Sequence, residues 1–584
     1  MRSRLLRRHF ISQFVENDLS PDMDRHQLLA LAAAGLVTLP LFATIFMSVK
    51  YLMQPLQSPG WTQITAMGDQ LVFCATSMLV SAIIATLEWD ALALSPRDAM
   101  ILGVLPVPHR EIVSAKVWAL VTFAAAFVIA LNALPTLMHP PLMVANFQGN
   151  PLLLLPLIAA HGLSTCMAGA FGFACVVGLR EFLFLWLGEY RLSRVAGTLR
   201  SGLLFSFLVL LVLVPIRLSG RPSWMFEPGG GSALLQPITW FAATHAAIAG
   251  RVIDTLPTPN LPERLSVEES RLRTQYQNSL PHLTALALRG TAVSLTVLTI
   301  TLGMYLRNAR RLQVMPDRPG SATGFGPSRI SDLLAAALAR RPATRAGLLF
   351  FVRTLLGSPA HRIYLTAAIA IGMALVITLA PDVFQGGLDG GVAARTSELA
   401  AQTLLLTVIV AGFRAAVRTS ADPRAAWTFG VAETGTLTEF RSGVRRGMIA
   451  TMLAAVVLLL PLHAAAWGTP IAAMHAVNGA ALGWLLVEAA CASVEQPLVQ
   501  TIPPNDGLNT VGVVLLGALV IVVLVLSRIE LAALSTTAGT AAFASAVLLT
   551  ATCLRYVNEQ NHRTAALAAI AASSSLPHPS SSKY

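Results

Sequence analysis

The sequence predicts an all-α, polytopic membrane protein of about twelve transmembrane helices, arranged as two parallel pseudo-repeats of six. Three observations predict it. Of 584 residues, 55% are hydrophobic and 12% charged, where soluble domains carry about a quarter charged residues. Apolar runs long enough to cross ~30 Å of hydrocarbon recur along nearly the whole chain. Short anchor sequences from the first half return in the same order in the second.

The apolar runs of the first half start near Gln27, Gln70, Val117, Pro151, Gly202 and Leu283. Those of the second start near Ile363, Glu398, Gly447, Pro470, Val511 and Ser535, each about 18 to 28 residues long. The first run follows polar and basic residues and is too long for the apolar stretch of a signal peptide, so no cleaved leader is expected. These runs give a first membrane half over 1–306, a linker over 307–345, a second half over 346–560 and a tail over 561–584. The tail is rich in Ala and Ser and is expected to be disordered.

Basic residues set the orientation, because short loops rich in Lys and Arg stay on the cytoplasmic side. With the N-terminus inside, the inner segments hold about 30 of the 41 basic residues and the outer ones about seven. Most of those seven fall in the Gly220–Pro281 outer loop, which is long enough to escape the rule. Both termini are therefore placed in the cytoplasm, and the chain in the plasma membrane. The inner loop from Glu495 to Thr510 has no basic residue, which leaves the tenth and eleventh spans least constrained.

The repeat rests on particular residues. "SPRDAMILGV" from Ser95 and "DPRAAWTFGV" from Asp422 place Pro96, Arg97, Ala99, Gly103 and Val104 against Pro423, Arg424, Ala426, Gly430 and Val431. Pro135 then matches Pro461, and His161 in "PLIAAHGLSTCMAG" matches His475 in "PIAAMHAVNGAALG". Because each half has an even number of spans, the copies are related by an axis along the membrane normal, an arrangement that places a pathway between halves and points to transport.

The formal charge of +12 does not call for a nucleic-acid partner. Arginines on the inner face account for it: Arg307 to His361 alone carries nine arginines against two aspartates, suited to anionic lipid headgroups. Cys74, Cys166, Cys175, Cys491 and Cys553 fall in apolar runs without metal-ligand spacing, so they read as small core residues.

The stretch "WDALALSPRDAMILGVLPVPHREIVSAKVWAL" resembles the cytoplasmic loop of type-2 ABC exporter permeases, in which a leucine-rich stretch is followed by Pro-Val, Arg-Glu and a Lys that opens the third helix. Those positions are Pro106, Val107, Arg110, Glu111 and Lys116. With Arg97, they are the residues the resemblance assigns to coupling with an ATPase. "RRHFISQFVENDLSPD" and "AGLLFFVRTLLGSPAHRIYL" are similar to the family's amphipathic elbow helix before the first span of each half. The resemblance implies the membrane subunit of an ATP-driven exporter, with ATP and Mg on a separate cytoplasmic ABC ATPase, in two copies, and no cofactor on this chain. The second half departs from the pattern, with "AETGTLTEFRSGVRR" replacing the Pro-Val and Arg-Glu elements, so its loop couples weakly or differently.

No ATP site is legible in the sequence. Lys50, Lys116 and Lys583 follow Val49, Ala115 and Ser582, whereas a Walker A lysine follows glycine. The chain is therefore expected not to be an enzyme. Intramembrane polar residues mark a pathway or a structural contact. His161 and His475 are candidates to line a path, or to hydrogen-bond a neighbouring helix. Glu488, the deepest acid, is a candidate for proton coupling or for a charge-compensating contact. A 6+6 secondary transporter of the major-facilitator type is the alternative reading, since it also uses parallel repeats. The substrate is not specified by any motif.

Overall fold

In hydrocarbon the backbone must satisfy its own hydrogen bonds, and a run of Ala, Leu and Val does so as a helix. The computed structural model describes residues 2–15, 44–45, 51, 59–92, 98, 101–102, 104, 106–146, 151–218, 236–253, 263–312, 329–379, 392–418, 437–492 and 510–574, and among them there is no strand. Nine helices among the described residues are long and apolar enough to cross a membrane. The run near Gln27 lies almost wholly outside the described residues, as does most of the Glu495–Thr510 loop.

The chain divides into two compact units, Met1–Ala322 and Thr323–Tyr584. The boundary falls within the segment read as a linker, although part of that segment is helical. The first unit contains α1 (Arg2–Val15), α2 (Pro59–Leu87), α3 (His109–Asn146), α4 (Leu154–Leu218), α5 (Pro237–Ile253) and α6 (Glu263–Leu312). The second contains α7 (Arg329–Leu338), α8 (Pro342–Gly357), α9 (Pro359–Leu379), α10 (Val392–Arg418), α11 (Leu437–Trp467), α12 (Thr469–Cys491), α13 (Thr510–Ala533) and α14 (Thr537–Ser574).

A straight helix of the length of α4 would reach about 98 Å, three times the hydrocarbon thickness. It is instead broken at Gly188, whose φ of 73° is open to glycine at little cost. Two arginines show that the chain turns back there. Arg180 Nε donates to the carbonyl of Trp89 at 3.0 Å, and Arg200 donates to the carbonyl of Leu87 and to Asp90 at 3.2 Å. In an unbroken helix these arginines would stand about 30 Å apart, beyond what their side chains could bridge. Their charges also meet the exposed carbonyls at the C-terminal end of α2.

Packing follows the same scheme in each unit. In the first, α1 packs on α3, α3 on α4, and α4 on both α2 and α6. In the second, α8 packs on α11, α11 on α12, and α12 on both α10 and α14. We call the end of each unit where α1 or α8 lies the near end, and the opposite one the far end.

Two segments hold helix beyond the apolar runs. The Gly220–Pro281 stretch contains α5, too short to span, yet buried among α2, α4 and α6. Tyr276 of α6 donates to the carbonyl of Ala246 at 3.0 Å and fixes it there. At the other terminus α14 runs on to Ser574, well into the segment expected to be disordered, because its alanine-rich sequence has high helix propensity.

Candidate functional site

The near end of the first unit is built around Lys116. The amphipathic α1 lies across the start of α3 and inserts Phe10 and Phe14 into a core with Trp89, Leu92, Leu102, Ile112, Ala115 and Ala119. Lys116 opens the span as expected, but it is only 1% exposed. It does not extend to the headgroups, because α1 covers it. Its Nζ donates to Gln13 Oε1 at 2.9 Å and stands 4.9 and 5.2 Å from the ring centroids of Phe10 and Phe14, an arrangement that favours a cation. Gln13 then donates to both oxygens of Asp98, at 3.1 and 3.0 Å. One chain of contacts thus joins α1, the loop and α3.

The rest of that loop is turned outward. Arg110 and Pro106 are exposed, while Val107 and Glu111 are half-buried. Ile101 and Val104 are 54% and 84% exposed, an apolar pair a few residues before Arg110 in sequence. Arg97 lies outside the described residues, as do Met100 and Leu105.

Deeper at this end, Glu181 of α4 is held by Asn308 of α6, which donates to its carbonyl at 3.0 Å and its carboxylate at 2.7 Å. Glu488 of α12 has a similar setting in the second unit. Asn558 of α14 donates to its carbonyl at 3.1 Å, Trp484 to its carboxylate at 3.0 Å, and Arg445 of α11 pairs with it at 3.3 Å. Glu488 is therefore charge-compensated within the bundle.

The far ends hold the histidines. His161 is fully buried and hydrogen-bonds Gln70 of α2 at 2.8 Å. Its ring centroid lies 5.3 Å from that of His139 and 6.4 Å from that of His245, which α5 brings in. His139 reaches Tyr51 at 3.2 Å and Asp69 at 3.9 Å. In the second unit His475 contacts Glu530 of α13 at 2.7 Å, and His463 and Trp467 of α11 pack against it with centroids 4.9 and 5.4 Å away. Both predicted histidines thus bind a neighbouring helix, His161 from about two turns into α4 and His475 from about two turns into α12. No three His, Cys, Asp or Glu side chains among the described residues are arranged to hold a metal ion.

Sequence reading missed Asp69, His139, His245, Glu398, His463 and Glu530. It missed them because they lie at or near the margins of the apolar runs, where hydropathy does not separate a buried polar group from one that reaches water. A further feature was invisible. An apolar groove of about 540 Å³ runs between α3, α4 and α6, lined by Val121, Ile129, Phe173, Leu298, Leu302 and Tyr305 among others.

Comparison with protein-family models, curated proteins and solved structures finds no significant match.

Proposed function

We propose that the chain is the membrane-spanning permease of an ATP-driven ABC exporter, with twelve spans in two parallel six-helix halves and its ATPase on a separate chain. The observation that carries this reading is the near-end corner of the first unit. There α1, Asp98 and Lys116 are bonded into one body, while Ile101, Val104 and Arg110 project outward. Such a corner passes a push from a docked partner to the third helix. The matching packing schemes of the two units support the parallel repeat, and the apolar groove suits an amphipathic substrate.

Replacing Arg110 with Glu is the test. The side chain is exposed, so the membrane domain should fold unchanged while ATPase recovery on co-purification falls about tenfold. Unchanged recovery at equal expression would remove the docking role. Absence of any co-purifying ATPase from the wild type would favour the secondary-transporter alternative.

Near ends are cytoplasmic in this reading. Val267, 66% exposed near the start of α6, then faces outside. Cysteine placed there should react with an impermeant thiol reagent in intact cells, whereas labelling only after lysis would reverse the orientation.

A further inference from the structure

The far end of the second unit contains a carboxylate and an imidazole in direct contact with almost no water access. Glu530 and His475 are 1% and 0% exposed, and Glu530 Oε1 lies 2.7 Å from His475 Nδ1. Their outer atoms, Glu530 Oε2 and His475 Nε2, have no hydrogen-bond partner among the described residues. The same holds for Gln402 Oε1, His463 Nδ1 and both amide atoms of Asn478, one turn along α12 from His475. A buried polar atom without a partner is costly, and here Gln402 of α10, His463 of α11 and Glu530 of α13 all meet His475 of α12. Such a grouping fits a small polar guest rather than a packing core.

The charges around it identify the guest. From α10 comes Glu398, which accepts a hydrogen bond from Trp467 Nε1 at 2.9 Å. From α11 comes His463, stacked on Trp467 at 4.9 Å. α13 also carries Arg528, but that side chain is exposed. α14 packs on α12 and α13, and its charged pair Arg555 and Glu559 meets Arg445 at the opposite end. No Lys or Arg among the described residues is paired with Glu530. A lone carboxylate at such a site is held only if a proton neutralises it or the histidine beside it carries one.

We propose that His475 and Glu530 form a proton-binding site, in which the pair shares one proton and exchanges it with the far side of the membrane. Binding leaves the pair as carboxylate with imidazolium, or as carboxyl with neutral imidazole; loss leaves carboxylate with neutral imidazole. Gln402, Asn478 and the free ring nitrogens supply contacts for water on the way in. This goes beyond the exporter reading and does not depend on it, since the site uses no ATPase contact.

The test uses the purified full-length protein and needs neither substrate nor ATP. Infrared difference spectra between about pH 5 and about pH 8 should show a one-proton change in carboxyl and imidazole bands. Glu530→Gln and His475→Gln should each abolish it, while Arg110→Glu leaves it intact. Trp467 gives a second readout, because its ring lies 5.4 Å from His475 and senses a charge appearing there. Its fluorescence, taken as the difference between wild type and Trp467→Phe, should follow pH and lose that dependence in His475→Gln. A pH response identical in wild type and both glutamine variants, or no response at all, would overturn the proposal. If one variant fails to fold as judged by gel filtration, the other decides.

Discussion

Replacing Arg445 with methionine is expected to destabilise the second unit by about 3–5 kcal/mol and to abolish its recovery as a monodisperse species in detergent. Arg445 is the cation paired with Glu488, 3.3 Å away, whose side chain is 0% exposed. Trp484 and Asn558 add hydrogen bonds, but both are neutral. Without the guanidinium a buried carboxylate keeps its desolvation cost and loses its compensating charge. The double change Arg445→Met with Glu488→Gln removes both charges and should restore most of the loss. Thermal unfolding of the three proteins measures the difference. A mild Arg445→Met phenotype would show that Glu488 does not depend on this partner and would reopen its candidacy for the pathway.

How much of this was legible in the sequence depends on the scale of the signal. Membrane class was legible because hydropathy is an average over some twenty residues, and Pro135 and Pro461 do lie inside helices that are long and apolar enough to span, as their runs implied. The two elbow segments also fall on helices, α1 and α8. The far-end clusters were not legible, because each is assembled from three or four helices and its members are single residues at the margins of apolar runs. Asp69 sits one residue outside the run read from Gln70, and Glu530 lies in the gap before the run at Ser535. A hydropathy window averages over the circumference of a helix, whereas burial of an acid is decided on one face of it.

Lys116 shows the same limit from the opposite side. Its place in the motif was readable, but its environment was not, because the side chain that covers a lysine at the foot of a span comes from a helix about a hundred residues earlier in sequence. A rule for isolated spans sends such a lysine to the headgroups. The aromatic pair on α1 and the acceptor on Gln13 provide a nearer site. The second unit solves the corresponding packing problem differently, with glycines on α11 where α3 has a lysine, and that difference leads to a second strong expectation.

Gly443→Leu should displace α8 from α11 and cost more than about 3 kcal/mol, since the clash is with backbone and exceeds ordinary overpacking. A Cβ at Gly443 would stand 2.1 Å from the carbonyl oxygen of Thr344 and 2.7 Å from the amide nitrogen of Leu348. The approach is mutual, because a Cβ at Gly347 would meet the carbonyl oxygen of Phe440 at 2.1 Å. Neither backbone can move alone. Gly443 and Gly447 form a small-residue pair at i and i+4, the spacing that lets membrane helices approach closely, and here it receives α8. Once displaced, α8 would expose Phe351 and Leu355, which are buried against the core that α11 shares. Trypsin should then cut at Arg345 and Arg353 in the variant and spare them in the wild type. Gly357→Ala is the control, for a Cβ there meets nothing within 4 Å, and its stability should stay within about 0.5 kcal/mol of wild type. Equal protease resistance of Gly443→Leu and wild type would show that α8 does not rest on α11 through this contact.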